Sequence, residues 1–417
     1  MNRRPTTQQI AISIIISAAL FALALTWDEL APIWRAVIVG LGALTGLLLL
    51  FARPRSRAAA ANPLVDILEQ VVADEARRPW NPTTLPWLPT GLAPKPVLLL
   101  PAADYHLAEM VPLAEELDRR GLETRLAIGE SPWSRTWQGL HWYPGLDVFE
   151  LPEPSKVAND ISLVVTMKDT GSLTDWVTEV REQGVPVIGK VEGAQDFWDS
   201  DTPDERRPYR NLDLVLCQGQ FDADALGDRE TQIVGSSRLE RLWWAPPVTP
   251  REPLAVINLN FVYGVRTADR DLWLDTAIAG CEQAGIPYVV SVHPAERTRL
   301  KTTRTTRVAA ARILPQATTL ISRFSTLPFE AMARGVPFVY HNPHGESVQT
   351  FSDPVGAFAT TDDASSLGSA LTAAPAPGHP AREKTRAFME RFLDVGDHRS
   401  EQRAADVVER LLGSIRT

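Results

Sequence analysis

The sequence predicts an α/β protein: two domains, each a parallel sheet covered by helices, behind a hairpin of two membrane-spanning helices. Three observations carry this prediction. Short apolar runs alternate with amphipathic, glycine-stopped helical runs from residue 96 to about 340. The proline-rich stretch WWAPPVTPREP at 243–253 interrupts that rhythm, which then restarts. Residues 5–27 and 36–52 carry no charge at all, in a chain that is 22% charged overall.

The N-terminal runs come first. Residues 5–27 are long enough to cross a hydrocarbon core of roughly 30 Å at about 1.5 Å per residue. The second run, 36–52, is extended by Ile33 and Trp34, with Arg35 able to snorkel. Arg3 and Arg4 precede the first run, Arg53, Arg55 and Arg57 follow the second, and Asp28 and Glu29 lie between. Positive flanks stay on the cytoplasmic side. The expectation is a two-pass anchor in the plasma (inner) membrane with both ends, and the rest of the chain, in the cytoplasm. Gly40, Gly42 and Gly46 mimic a dinucleotide loop but lack a preceding strand, and read as helix contacts instead.

The predicted organisation is a membrane hairpin at 1–57, a proline-broken linker at 58–94, a first domain at 95–242, a second linker at 243–253 and a second domain at 254–417. In the first domain, strands are expected at 96–100, 122–128, 149–151, 161–167, 185–191 and 212–217, with helices at 106–120 and 173–183. In the second, strands are expected at 254–258, 286–292, 318–322 and 336–340, and helices at 271–284 and about 325–334. A terminal helix repeats Ala404, Val407 or Val408, and Leu411. Open parallel sheets bind ligands at the carboxyl ends of their strands, so the cleft between the domains is the expected site.

Charge and composition narrow the function. The net charge of −9 argues against a duplex-wrapping surface, so nucleic acid is not expected as a partner. Cys217 and Cys281 make neither a disulfide framework nor a thiolate metal cluster. No metal site is predicted: His341 and His344 supply too few ligands, and Asp199-Ser200-Asp201 reads as a solvated acidic loop, with a divalent ion left open. Six basic residues and no acid within 297–312 could face an anionic membrane surface.

The strongest local signal is 318–346. A strand ends near Ser322, a polar turn follows, and a helix opens with Pro328 in its first turn. Such a turn offers unpaired N–H groups to a diphosphate. Ser322, Arg323, Ser325 and Thr326 are the expected contacts. Glu330 is out of register for a capping box from either Ser325 or Thr326, and is free to reach ligand hydroxyls. His293 sits at the carboxyl edge of the strand ending at Val292, where an imidazole can meet a phosphoryl oxygen. His106 follows the first strand and is the candidate general base, with Asp104 or Glu109 to orient it. Lys190 and Glu192, closing another strand, are candidates for the acceptor side.

The segments VVSVHPAER at 289–297 and ISRFSTLPFEAMARGVPFVYHN at 321–342 resemble the two-Rossmann-domain glycosyltransferase superfamily called GT-B. They are most similar to its cell-envelope branch of CDP-glycerol glycerophosphotransferases and capsule-polymer transferases, with UDP-N-acetylglucosamine 2-epimerases as relatives. PAADYHLAEMVPLAEELDRRG at 101–121 is similar to the first strand–turn–helix of such enzymes. The resemblance implies that His293 touches the donor's phosphates, that Ser325 and Thr326 line the same pocket, and that Glu330 reaches ribose. Where glycerophosphotransferases carry an acidic-aromatic pair, this chain has Arg323-Phe324. The implied function is transfer of a sugar or polyol phosphate from a CDP-, UDP- or GDP-linked donor to a hydroxyl of a membrane lipid or lipid-linked envelope polymer such as teichoic acid. No tightly bound cofactor is implied. A UDP-sugar epimerase and a non-catalytic envelope-assembly protein are the alternatives, and oligomeric state stays open.

Overall fold

The computed structural model describes residues 84–87, 94–129, 143, 145–194, 197, 207–250, 252–262, 265–293, 296, 300, 302, 304–394 and 396–415. The expected hairpin at 1–57, most of the 58–94 linker and Asp199–Asp201 lie outside the described residues.

Among the described residues, seven parallel strands form the first sheet: β1 (Val97–Leu100), β2 (Thr124–Ile128), β3 (Val148–Glu150), β4 (Leu163–Thr166), β5 (Val187–Lys190), β6 (Leu214–Cys217) and β7 (Thr231–Ile233). Their spatial order is β3-β2-β1-β4-β5-β6-β7. The second sheet has six: β8 (Ala255–Leu259), β9 (Tyr288–Val292), β10 (Thr305–Thr306), β11 (Thr319–Ser322), β12 (Phe338–His341) and β13 (Ala359–Thr361). Their order, β10-β9-β8-β11-β12-β13, repeats the first pattern. The central strands are buried apart from the half-buried Asn258 of β8, as sheets covered on both faces require; Leu98, Leu99 and Leu100 have no exposed surface. In register, Leu99 lies opposite Val165 and Ile257 opposite Ile321.

Chain direction across each sheet reverses beside its first strand, between β1 and β4 and between β8 and β11. That crevice, at the carboxyl ends, is where such sheets accept ligands. The turns after β1, β5, β9 and β11 carry His106, Glu192, His293 and Ser325–Thr326, so the topology brings the candidates to the carboxyl edges of the two sheets.

The helices that matter for the site are α1 (Leu107–Arg119), α2 (Ser237–Trp244), α3 (Arg270–Ala284), α4 (Leu327–Ala333), α5 (Ala364–Ala373), α6 (His379–Phe392) and α7 (Ser400–Ile415). Gly285 ends α3 at φ 65°, a conformation that costs glycine little and most residues more. Beyond α2 the described residues between Ala245 and Leu254 form no helix or strand, and the Val248 N–H meets the second lobe, bonded to Arg334 O at 2.9 Å.

One expectation is corrected. The last helix does not join the second domain's core. Ala404, Ala405, Val407, Val408 and Leu412 of α7 pack with Leu99, Met110, Leu113 and Leu117 under the first sheet. Arg120 fixes the crossing with bonds to Asp406 and Glu409 at 2.6 and 2.7 Å. The apolar stripe of α7 is therefore spent on the first lobe, and the range 254–417 covers parts of both lobes. No helix among the described residues is long and apolar enough to cross a membrane.

Candidate functional site

On the first lobe the site is built around His106. It is 1% exposed and sits in a single 3-10 turn just before α1. Its Nδ1 accepts the Ala102 N–H at 3.0 Å, so Nε2 carries the proton and donates to Glu192 Oε2 at 2.5 Å. Neither ring nitrogen is open to take a proton from a substrate. Of the two expected orienting acids, Glu109 is engaged elsewhere, with Lys190. Glu109 points away, and it is Glu192, closing β5, that pairs with the ring. The Glu192 side chain keeps 28% of its surface exposed. Its own N–H donates to the buried Tyr209 hydroxyl at 2.9 Å, and Asp169 fixes the Tyr209 loop by accepting the N–H groups of Tyr209, Arg210 and Asn211. A carboxylate at the cleft edge is thus held from both its side chain and its backbone.

Glu109 and Lys190 form a different unit. Both are buried, with Lys190 Nζ 3.0 Å from Glu109 Oε2. Glu109 also accepts the Ser236 hydroxyl and the Ser237 N–H, the latter at 3.0 Å, so it closes the N-terminus of α2. Burial alone would raise its pKa, but Lys190, Arg238 and Ser236 overcome this and hold it below the usual carboxylate range. Lys190 is consequently a core ion-pair partner and not an acceptor-side residue.

On the second lobe His293 directly follows β9, with its N–H bonded to Leu259 O at 3.3 Å. Burial pushes its imidazole below its ordinary pKa, against a weaker pull from Glu296. At neutral pH it is a neutral donor or acceptor and not a fixed cation.

Two predicted phosphate contacts instead have internal partners. Ser322 is fully buried; its hydroxyl accepts from Asn258 Nδ2 at 3.0 Å and donates to Arg323 O at 2.8 Å. The Arg323 guanidinium binds Glu346 Oε2 through Nε and Nη2 at 2.7 and 2.5 Å, and Asn260 O through Nη1 at 2.9 Å. It also lies 4.8 Å from the Phe261 ring centre. With all three nitrogens engaged, Arg323 shapes the turn from inside. Glu346 completes the anchor, accepting the Phe324 N–H at 3.0 Å and the Tyr340 hydroxyl at 2.7 Å; against the cost of burial, His344, Arg323 and the Phe324 N–H bring its pKa down to about 2.

Ser325 and Thr326 remain at the surface of the turn. Ser325 Oγ accepts the Leu327 N–H at 3.3 Å, and Thr326 makes no capping bond. Because α4 has only seven residues, direct bonds rather than a helix dipole must carry any anion binding here. Glu330, in the first turn of α4, faces the other lobe: Arg238 Nη1 lies 3.4 Å from its Oε1.

The lobes meet at this turn. A Cβ placed on Gly193, the residue after Glu192, would lie 2.8 Å from Thr326 Cγ2 and 3.0 Å from its Cβ, and closer still to Oγ1. The His106–Glu192 pair and the Ser325–Thr326 turn therefore border one cleft. Behind it the lobes touch again, where Gly219 abuts the Phe392 carbonyl and the Asp394 N–H bonds Gln218 O at 2.9 Å. A cavity of about 10 Å³ lies there, lined by Phe221, Asp222, Phe329 and Phe392. A wider depression of about 450 Å³ between α3 and α5 is lined by helix residues such as Gln283 and Gly368 and lies off both functional edges. Among the described residues no group of three His, Cys, Asp or Glu side chains could hold a metal ion.

No family model matches the chain, and no curated protein does. Solved structures do. A UDP-GlcNAc 2-epimerase from Methanocaldococcus jannaschii, in complex with UDP-GlcNAc and UDP, superposes with a TM-score of 0.53 at 12% identity, over 75% of this chain and 99% of that one. Wall teichoic acid polymerase TagF, as a variant soaked with CDPG, gives 0.54 at 11% identity, over 78% and 90%. A putative UDP-N-acetylglucosamine 2-epimerase from Listeria monocytogenes gives 0.52 at 12%, over 76% and 96%. The fold is GT-B-like. Identities this low show architecture and nothing finer, so the chemistry has to come from the side chains above.

Sequence reasoning missed Gly193, Arg238 and Glu346. Gly193 had a local signal, a glycine directly after a strand-end acid. Arg238 and Glu346 had none, since their partners lie 92 and 23 residues away.

Proposed function

We propose that this GT-B-like chain is a transferase that moves a sugar or polyol phosphate from a nucleotide-activated donor to a hydroxyl of a cell-envelope lipid or polymer. The observation that carries the reading is the approach of Gly193 to Thr326, which sets a carboxylate of one lobe against a polar strand-end turn of the other. The second lobe holds the donor: the N–H groups and hydroxyls of Ser325 and Thr326, with His293, meet its phosphates, and Glu330 meets ribose. Glu192, not His106, is the base. Its carboxylate takes the acceptor hydroxyl's proton while the His106 Nε2–H orients it. The acceptor oxygen then bonds to the transferred carbon or phosphorus, and the bond to the leaving nucleotide breaks. The electron pair stays on the leaving phosphate, where His293 and the turn stabilise it. The charge-free runs 5–27 and 36–52 with their arginine flanks support a plasma-membrane anchor that keeps this cleft near lipid acceptors.

The test is incubation of the full-length protein in bilayer nanodiscs with CDP-, UDP- and GDP-linked donors, with and without envelope lipids. Acceptor-dependent release of nucleotide is expected. Epimer formation without acceptor would select the epimerase reading, and no donor binding across the panel would refute both.

A further inference from the structure

We infer that Arg238 binds the phosphate of the nucleotide donor, and that Glu330 is the internal anion it exchanges for that phosphate. This rests on the donor reading above and adds a cation from the first lobe to it.

The argument begins with a contrast between two arginines. Arg323 holds Glu346 through two nitrogens at 2.7 and 2.5 Å, the short forked geometry of a permanent pair. Arg238 reaches Glu330 through one nitrogen at 3.4 Å and the Glu192 carbonyl through another at 3.3 Å. Its Nε is buried and finds no hydrogen-bond partner among the described residues. A guanidinium has five N–H donors in a rigid fork, and here that fork is under-used.

Placement supplies the ligand. The carbonyl that Arg238 touches belongs to Glu192, next to Gly193, which packs on Thr326. The guanidinium therefore lies within one residue of the contact between the lobes, beside the turn assigned to the donor's phosphates. Its backbone is fixed independently of its head group. The Ser236 hydroxyl and the Ser237 N–H bond to the buried Glu109 carboxylate, and the Leu239 N–H bonds to Ser236 Oγ at 3.2 Å. A firmly seated stem with a loosely held, partly unsatisfied cation is poised to exchange one anion for another. A diphosphate offers acceptor oxygens in the forked spacing that guanidinium prefers. Leaving Arg238 also frees Glu330 for ribose hydroxyls, so a single exchange both binds donor and couples the lobes around it.

The experiment is titration calorimetry of the full-length protein with CDP, UDP and GDP and with cytidine, uridine and guanosine. For the base that binds, Arg238→Gln should weaken the diphosphate by about tenfold to a hundredfold, the worth of a charge-assisted bond, and leave the nucleoside within about twofold. Arg238→Lys should recover part of the loss. Glu330→Gln should raise the ratio of diphosphate to nucleoside affinity, because the competing anion is gone. Were Arg238 only a strut between lobes, its replacement would weaken nucleoside and diphosphate alike, and Glu330→Gln would do the same; either result overturns the inference. If a nucleoside diphosphate binds wild type and Arg238→Gln equally, this inference falls and the donor reading stands. If none binds the wild-type chain, the donor reading falls and takes this with it.

Discussion

Replacing Gly193 by alanine tests the cleft at its narrowest point. Gly193 has no left-handed φ, so alanine is conformationally allowed there. At an open site the change would stabilise the chain by about 0.4–1 kcal/mol, by restricting the unfolded state. Here the new methyl would sit 2.8 Å from Thr326 Cγ2 and 3.0 Å from Thr326 Cβ. Rotating the threonine moves Oγ1 or Cγ2 but not Cβ, so the lobes must part. Restoring ordinary contact takes a shift on the order of 1 Å, and overpacking of this kind costs about 1–3 kcal/mol. A misplacement of about 1 Å between reacting groups lowers turnover by roughly a hundredfold. The assay is donor turnover and thermal melting of Gly193→Ala as the single variant, and of the same change in a Thr326→Gly background, which removes Cβ together with Oγ1 and Cγ2. The single variant should lose turnover and melt lower. Measured against Thr326→Gly alone, the double variant should lose at least about tenfold less turnover than Gly193→Ala loses against wild type. A Gly193→Ala protein that melts higher and turns over normally would refute the closure, and with it the assignment of Glu192 and Thr326 to one site.

Three further outcomes follow from the same geometry. Glu192→Gln should lower turnover by about a hundredfold to ten-thousandfold with donor affinity nearly unchanged, whereas His106→Gln should cost less, since it removes only the orienting partner; equal donor-saturated rates in wild type and Glu192→Gln would exclude it as base. Glu109→Ala should destabilise by about 3–5 kcal/mol because Lys190 is left buried without its anion, and Glu109→Gln with Lys190→Met, which keeps an acceptor for the Ser236 hydroxyl and the Ser237 N–H, should recover part of that in denaturant titration. Burial pushes the Asp222 carboxyl up to about 7, outweighing the Gln218 and Gly219 N–H bonds. A folded-state pKa above the unfolded one stabilises at low pH and loses that stabilisation as pH rises, here between about 4 and 7. The stability of wild type relative to Asp222→Asn should therefore fall by a few kcal/mol over that range, and a flat difference would contradict the assignment.

Much of the architecture was legible because it rests on local signals. Residues 96–100 and 318–322 are apolar enough to be buried on both faces, and β1 and β11 form there within one residue of expectation. Glycines such as Gly285 stop helices by a backbone property readable from one residue. Other elements lack such a signal. β7 is the edge strand Thr231–Ile233, largely solvent-facing, so no apolar run marks it. The crossing of α7 back to the first lobe is invisible for another reason: its stripe of Ala404, Val408 and Leu412 says that the helix is buried on one face, but not against which sheet.

The candidate site shows the same division more sharply. Topology alone assigned His106, His293 and the turn at 325–326 to strand ends, because parallel strands put their carboxyl ends on one edge. What each side chain does there depends on partners far away in sequence. His106 reads as a base until Glu192, 86 residues on, takes its Nε2–H. Arg323 reads as a phosphate ligand until Glu346 and the Asn260 carbonyl occupy every nitrogen. Arg238, whose Nε finds no hydrogen-bond partner among the described residues, lies on the other lobe in a helix with no motif to mark it. Burying a charge favours close, complete pairing, so in this chain the arginine inside the apparent motif became structural. The cation we propose for the donor's phosphate, Arg238, is paired at longer distances and incompletely.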